Sequence, residues 1–127
     1  MKKKETLKIN MKKIQIKRRL ALLQRLLKMS NSERRQYLMK CDQECINTIC
    51  EACYNLLWNN FKFKKPKINK ISKDLTNIKT DFKKISDPKI ALKTKRQLLS
   101  KKQTGDGIFS ILATTVIPAL VSLLAKK

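Results

Sequence analysis

The sequence predicts an all-α fold: a small helical domain of two or three helices, a basic flexible N-terminal arm, and a separate apolar C-terminal helix. Two periodic stretches and one change of composition predict it. Ile46, Ile49, Cys50, Cys53 and Leu57 fall on one helical face. Ile68, Ile71, Leu75, Ile78, Phe82 and Ile85 follow one another in alternating steps of three and four. From Ile108 to Ala125 the chain then runs 18 residues without a charge, after a lysine-rich remainder.

Residues 1–16 are lysine-rich with isolated Leu7, Ile9, Met11, Ile14 and Ile16, and read as a frayed arm that orders on a polyanion. From Lys17 to Met29, Leu20, Leu23 and Leu27 recur at helical spacing, with Leu22 and Leu26 beside them. Ser30-Asn31-Ser32 stops this helix and caps a short one from Glu33 to Lys40. Asp42 is the expected N-cap of a helix from Gln43 to Asn59, whose apolar face is widened by Leu56 and Trp58. This is the most core-like stretch, and the core is expected around Trp58. Lys64-Lys65-Pro66-Lys67 breaks the helix, with Pro66 suited to the first turn of the next. The Ile68–Ile85 stripe is too short for a free-standing coiled coil and is expected to pack on the Ile46–Trp58 face, with a helical dimer as the alternative. Ser86-Asp87-Pro88 ends it, and Lys89 to Lys102 forms a further helix with Leu92, Leu98 and Leu99. The resulting divisions are 1–31 (basic arm and amphipathic helix), 32–102 (small basic helical domain), 103–107 (linker) and 108–127 (apolar helix). A core drawn from roughly 60 residues supplies only about 3–5 kcal/mol.

The formal charge is +22, from 31 Lys and Arg against 9 Asp and Glu. The tail holds only Lys126 and Lys127 of these, so residues 1–106 are strongly cationic. Such a field attracts polyanions and anionic membranes over about a Debye length, roughly 8 Å at physiological salt. Of the basic residues 25 are Lys and 6 are Arg. Lysine acts as a point charge on phosphate, whereas arginine reads base edges bidentately, so the bias points to binding without strong sequence preference. Lys64-Lys65-Pro66-Lys67 also fits a short nuclear import pattern.

There is no histidine, and the acidic residues are few and dispersed. No paired carboxylates, nucleophile–base arrangement, glycine-rich phosphate loop or His-containing metal motif assembles, which argues against catalysis and against a cofactor. No apolar h-region follows Met1-Lys2-Lys3-Lys4-Glu5, so a secretory signal is not expected and synthesis in the reducing cytosol is. Cys41, Cys45, Cys50 and Cys53 have the spacing C-x3-C-x4-C-x2-C. At about 100° per residue they fall at roughly 0°, 40°, 180° and 120° around a helix, so one helix cannot turn all four to one ion. A zinc site needs a break near Thr48. Without it, Cys50 and Cys53 read as small buried apolar residues, with disulfides the remaining alternative.

The apolar segment IFSILATTVIPALVSLLA would be about 27 Å long as a helix, just short of the roughly 30 Å hydrocarbon core. Pro118 would kink it, and Ser110, Thr114 and Ser122 draw a thin polar stripe. The segment therefore reads as membrane-active rather than as a stable anchor, with a helix docked on the body as the alternative. The residues expected to face lipid are Ile108, Phe109, Ile111, Leu112, Val116, Ile117, Pro118, Leu120, Val121, Leu123 and Leu124. The only two glycines, Gly105 and Gly107, sit where charge gives way to apolarity, and a flexible, protease-accessible joint is expected there.

In this order of features the chain resembles the adenovirus core protein X (mu) precursors and their counterparts in adintoviruses and Polinton (Maverick) elements. The resemblance rests on Ile49-Cys50-Glu51-Ala52-Cys53-Tyr54-Asn55-Leu56-Leu57, the lysine-rich helix after it, Lys95-Arg96-Gln97-Leu98-Leu99 and the junction, and spans about residues 32–124. It implies a basic DNA-condensing part joined to a Pro-containing apolar tail through a viral protease site. Gln103-Thr104-Gly105-Asp106 followed by Gly107 fits the adenovirus-type cysteine protease, with the cut between Asp106 and Gly107. Two departures stand out: Gly-Asp-Gly replaces the Gly-Gly of many relatives, and arginine is scarcer. The resemblance implies a virion core protein, assembled in the host nucleus, that binds and condenses viral double-stranded DNA. Its further partners would be the protease, capsid interior proteins and, through the released peptide, a host membrane. Expected phosphate contacts are Lys2, Lys3, Lys4, Lys12, Lys13, Lys17, Arg18, Arg19, Lys62, Lys64, Lys65, Lys67, Lys83, Lys84, Lys93, Lys95, Arg96, Lys101 and Lys102. The alternative is a membrane-associated basic adaptor or small lytic protein that does not bind DNA.

Overall fold

The computed structural model describes residues 13–125, which are helical nearly throughout and contain no strand. In chain order the helices are α1 (Lys13–Lys28), α2 (Asn31–Leu38), α3 (Gln43–Leu57), α4 (Lys65–Asp74), α5 (Lys79–Ser86), α6 (Leu92–Ser100), α7 (Lys102–Thr114) and α8 (Val116–Ala125), with a 3-10 turn at Thr76–Ile78 between α4 and α5. The all-α class holds. The helices are shorter and more numerous than two or three, and the apolar C-terminal segment is part of the body.

Local sequence explains the boundaries. Ser30 caps α2: its side chain accepts from Glu33 N, and the Glu33 carboxylate accepts in return from Ser30 N at 2.9 Å, a capping box. Asp42 Oδ1 accepts from Cys45 N at 2.9 Å at the start of α3. Pro66 stands in the first turn of α4. Of the Ile68–Ile85 stripe, Ile71, Leu75, Ile78, Phe82 and Ile85 are buried as its spacing predicts, whereas Ile68, in the first turn of α4, is exposed, and α5 packs along α3. The stripe is not one helix, however. Ile78 leaves the helical region at φ −125°, and the 3-10 turn bends the chain so that two short helices wrap one core.

One apolar cluster runs from Ile16 to Leu120. α3 lies at its centre, flanked by α5 and α6 on one side and α1 on another. α7 packs on α2, α4, α5 and α6, and α8 runs along α1. The buried side chains of α1 are Ile16, Leu20, Leu23 and Leu26, and Leu23 lies beside Val116 and Leu120 of α8. Ile16 is buried too, so the ordered body begins earlier than an arm over residues 1–16 allows. Trp58, expected at the centre of the core, is 52% exposed, and Leu57 is exposed beside it. Both sit where α3 ends. The chain turns away at Asn59 (φ 51°), and the buried face stops at Leu56.

Candidate nucleic-acid interface

Charge is displayed all round the body rather than in one groove. Lys17 and Arg18 are exposed on α1, Lys62, Lys64, Lys65 and Lys67 around the entry to α4, Lys83 and Lys84 on α5, Lys93 on α6, and Lys101 and Lys102 at the α6–α7 bend. Lys73, Lys79 and Lys89 are exposed as well, and nothing in the sequence sets them apart from the expected contacts. Some of these cations are already engaged. Arg18 lies 3.1 Å from Glu44, and Lys101 lies 3.5 Å from Asp81. Exposed pairs of this kind contribute about 0–1 kcal/mol and yield easily to a phosphate. Lys2, Lys3, Lys4 and Lys12 lie outside the described residues, and Lys13 begins α1.

Three expected contacts serve the fold instead. Lys95 is 5% exposed on α6, with its ammonium beside the Cys50 and Cys53 thiols. Arg96 donates to Leu38 O at 3.2 Å and lies 3.8 Å from Cys41 Sγ, tying α6 to the end of α2. Arg19 Nε stands 3.0 Å from Glu51 Oε1, close enough for an ion pair but off the line of a hydrogen bond. Lys93, two residues before Lys95, is solvated; helical phase turns Lys95 inward, three residues before Leu98 and four before Leu99, both of them buried.

All four cysteines are buried and free. α3 is unbroken through Thr48, whose hydroxyl donates to Glu44 O at 2.9 Å, so the break that a four-cysteine zinc site needs is not there. Among the described residues no three Cys, Asp or Glu side chains are grouped as metal ligands. The Cys41 thiol is lowered to about 7, first by the hydrogen bond from Cys45 and then by Arg96 against the cost of burial. Cys45, the donor of that bond, is pushed up, and burial pushes Cys50 and Cys53 up as well.

The junction differs most from expectation. Gln103, Thr104, Gly105, Asp106 and Gly107 lie in the first turns of α7, not in a flexible linker. Thr104 is buried and its hydroxyl donates to Asp81 Oδ2 at 2.7 Å. Asp106 accepts from Arg35 Nη1 through both oxygens, at 2.7 and 2.8 Å. A side chain at Gly105 would overlap the Leu99 carbonyl oxygen. Gly105 is there because the α6–α7 bend brings two backbones together, not because the chain must flex. The Arg35 partner was missed. The only signal for it is that Asp106 is the last carboxylate before a charge-free stretch.

The residues expected to face lipid are likewise redistributed. Ile108, Phe109, Ile111, Leu112, Val116 and Leu120 are buried in the core, with Arg34 lying 4.8 Å over the Phe109 ring. Ile117, Leu123 and Leu124 are half-buried, and only Pro118 and Val121 are exposed. The polar stripe Ser110, Thr114 and Ser122 faces solvent, as its spacing predicts. Comparison with protein-family models, curated proteins and solved structures finds no match to this chain.

Proposed function

We propose that this chain is a virion core protein of an adeno- or adintovirus-like element, which binds and condenses viral double-stranded DNA by lysine–phosphate contacts. The observation that carries the reading is an acid-free cationic run. No carboxylate occurs between Glu51 and Asp74, and Lys62, Lys64, Lys65, Lys67 and Lys73 are exposed along it. Each lysine that neutralises a phosphate releases counterions, the main source of sequence-independent affinity. Exposed lysines on α1, α4, α5, α6 and the α6–α7 bend suit condensation, in which one protein bridges several duplex segments.

The resemblance adds the adenovirus-type cysteine protease, capsid interior proteins and assembly in the host nucleus as partners and setting. Proteases take substrate in extended form, so a cut between Asp106 and Gly107 requires the first turns of α7 to open. Residues 107–127 would then leave the core and be free to enter a host membrane.

The test is DNA affinity of the full chain as a function of salt. The logarithm of the association constant should fall with log salt at about 0.9 per phosphate neutralised, equally for unrelated sequences. Replacing Lys64 and Lys65 by Gln should reduce that slope by about 1–2. A slope and affinity unchanged by the substitutions would sink the assignment of this run.

A further inference from the structure

We infer that the folded, uncleaved chain docks peripherally on anionic bilayers through the groove between the Asn59–Lys64 loop and α8. The inference does not depend on the DNA-binding proposal.

The loop is built rather than slack. Asn59 (φ 51°) and Lys62 (φ 60°) both take the left-handed conformation, which non-glycine residues keep only where their surroundings hold them. Here the Asn59 side chain does the holding: Oδ1 accepts from Phe63 N at 2.9 Å and Nδ2 donates to Phe63 O at 3.2 Å. Asn60 is buried and donates to Asn55 Oδ1 at 2.8 Å, anchoring the loop to α3. The result is a stacked pair of rings, Phe61 and Phe63, with centroids 5.6 Å apart.

These rings form one wall of an open groove of about 320 Å³, and Thr115 with Pro118, Ala119, Ser122 and Leu123 of α8 form the other. Lys67 sits at its rim, with Nζ 5.4 Å from the Phe63 centroid and 3.3 Å from Thr114 O. Lys62, Lys64 and Lys65 are exposed beside it, and no acidic residue lies between Glu51 and Asp74 or after Asp106.

The occupant must therefore be anionic and apolar at once. A second copy is disfavoured, because it brings another +22 charge to an acid-free face. Nucleic acid would stack bases on open aromatic faces. Here the rings are half-buried, stacked on each other, and faced by Pro118, Ala119 and Leu123 with the hydroxyl side chains Thr115 and Ser122 between them, a wall with no aromatic face to stack a base. An anionic bilayer surface supplies both needs: headgroups for the lysines and the acyl boundary for the Phe, Pro and Leu groups. Docking is peripheral because Val116 and Leu120 of α8 are committed to the core. The stretch Lys102–Ala125 is long and apolar enough to cross a membrane by composition, but spanning would dismantle that packing.

The test is flotation of the intact chain with phosphatidylserine–phosphatidylcholine vesicles at 0.3 M salt, with no protease or DNA present. The variants are Phe63→Ser and Pro118→Ser, each checked for an unchanged melting curve and neither altering net charge. The expected result is at least a tenfold weaker partition for each variant, with DNA affinity unchanged. Partition equal to that of the parent chain would mean generic charge attraction and would overturn the inference. So would a parallel loss of DNA affinity, which would make the groove a nucleic-acid surface. A failure here leaves the salt dependence of DNA binding untouched, so the two proposals stand or fall separately.

Discussion

A chain ended at Asp106 is expected to lose its cooperative unfolding transition altogether. The deletion removes Ile108, Phe109, Ile111, Leu112, Val116 and Leu120, all at or below 5% exposure. Burying one aliphatic or aromatic side chain of this kind stabilises a fold by about 1.5–3 kcal/mol. Losing all six, about 9–18 kcal/mol, matches or exceeds the margin of about 5–15 kcal/mol on which whole domains rest. The deletion also uncovers the face of α1 on which α8 packs, and it removes the rest of the helix that positions Asp106 for Arg35. Self-repulsion within the remaining polycation acts in the same direction. Circular dichroism through a urea titration reads this directly: the full chain should show a sigmoid, and residues 1–106 a featureless slope. Equal midpoints for both would mean that the apolar segment is dispensable to the fold. In the proposed setting, a cut after Asp106 then does two things. It frees the apolar peptide, and it converts a folded basic body into an extended polycation able to follow DNA.

Gly105→Ala should destabilise the full chain by about 3 kcal/mol or more, while Gly107→Ala should be near neutral. In an ordinary helix interior either change is favourable by about 1 kcal/mol, since glycine is the poorer helix former. At Gly105 the added Cβ meets the Leu99 carbonyl oxygen, a backbone atom that cannot swing aside, so α6 and α7 must separate. Overpacking of this sort costs typically 1–3 kcal/mol, and more where backbone must move. At Gly107 the nearest atom is Ile78 Cδ1 at 3.1 Å, the end of a flexible side chain that can give by a few tenths of an ångström. The pair of variants separates two explanations of the same glycines. If both serve flexibility, both alanines should act alike; if Gly105 serves a close approach, only one should be harmful. Paired urea melts decide it, and a Gly105→Ala chain at least as stable as the parent would contradict the described bend.

The elements were legible where local chemistry decides them. The Ser30-Asn31-Ser32 stop, Asp42 and Pro66 mark helix starts by their side chains alone, and the structure uses Ser30, Asp42 and Pro66 there. The Ile71–Ile85 stripe announced burial but not the 3-10 turn, because a bent pair of helices and a straight one share the same spacing. The docking of the C-terminal segment on the body was hidden for a different reason. A charge-free stretch is equally suited to lipid and to a protein core, and only its partner tells them apart. That partner, the face of α1 around Leu23, lies some ninety residues away in sequence. A separation of 71 residues likewise hides the Arg35–Asp106 pair. Trp58 misled because size and hydrophobicity favour burial, whereas its place at the end of α3 does not provide it. For the phosphate contacts, composition identified the kind of surface but could not sort Lys95 and Arg96, which face inward, from Lys93, which does not.

The most direct measurement is amide hydrogen exchange across residues 103–112 in the full chain. If the junction is the start of a helix held by Arg35–Asp106 and Thr104–Asp81, these amides should be protected to within about tenfold of those at Ile46–Cys53. Complete exchange of 103–112 within seconds, with α3 still protected, would show an open joint and a tail independent of the body.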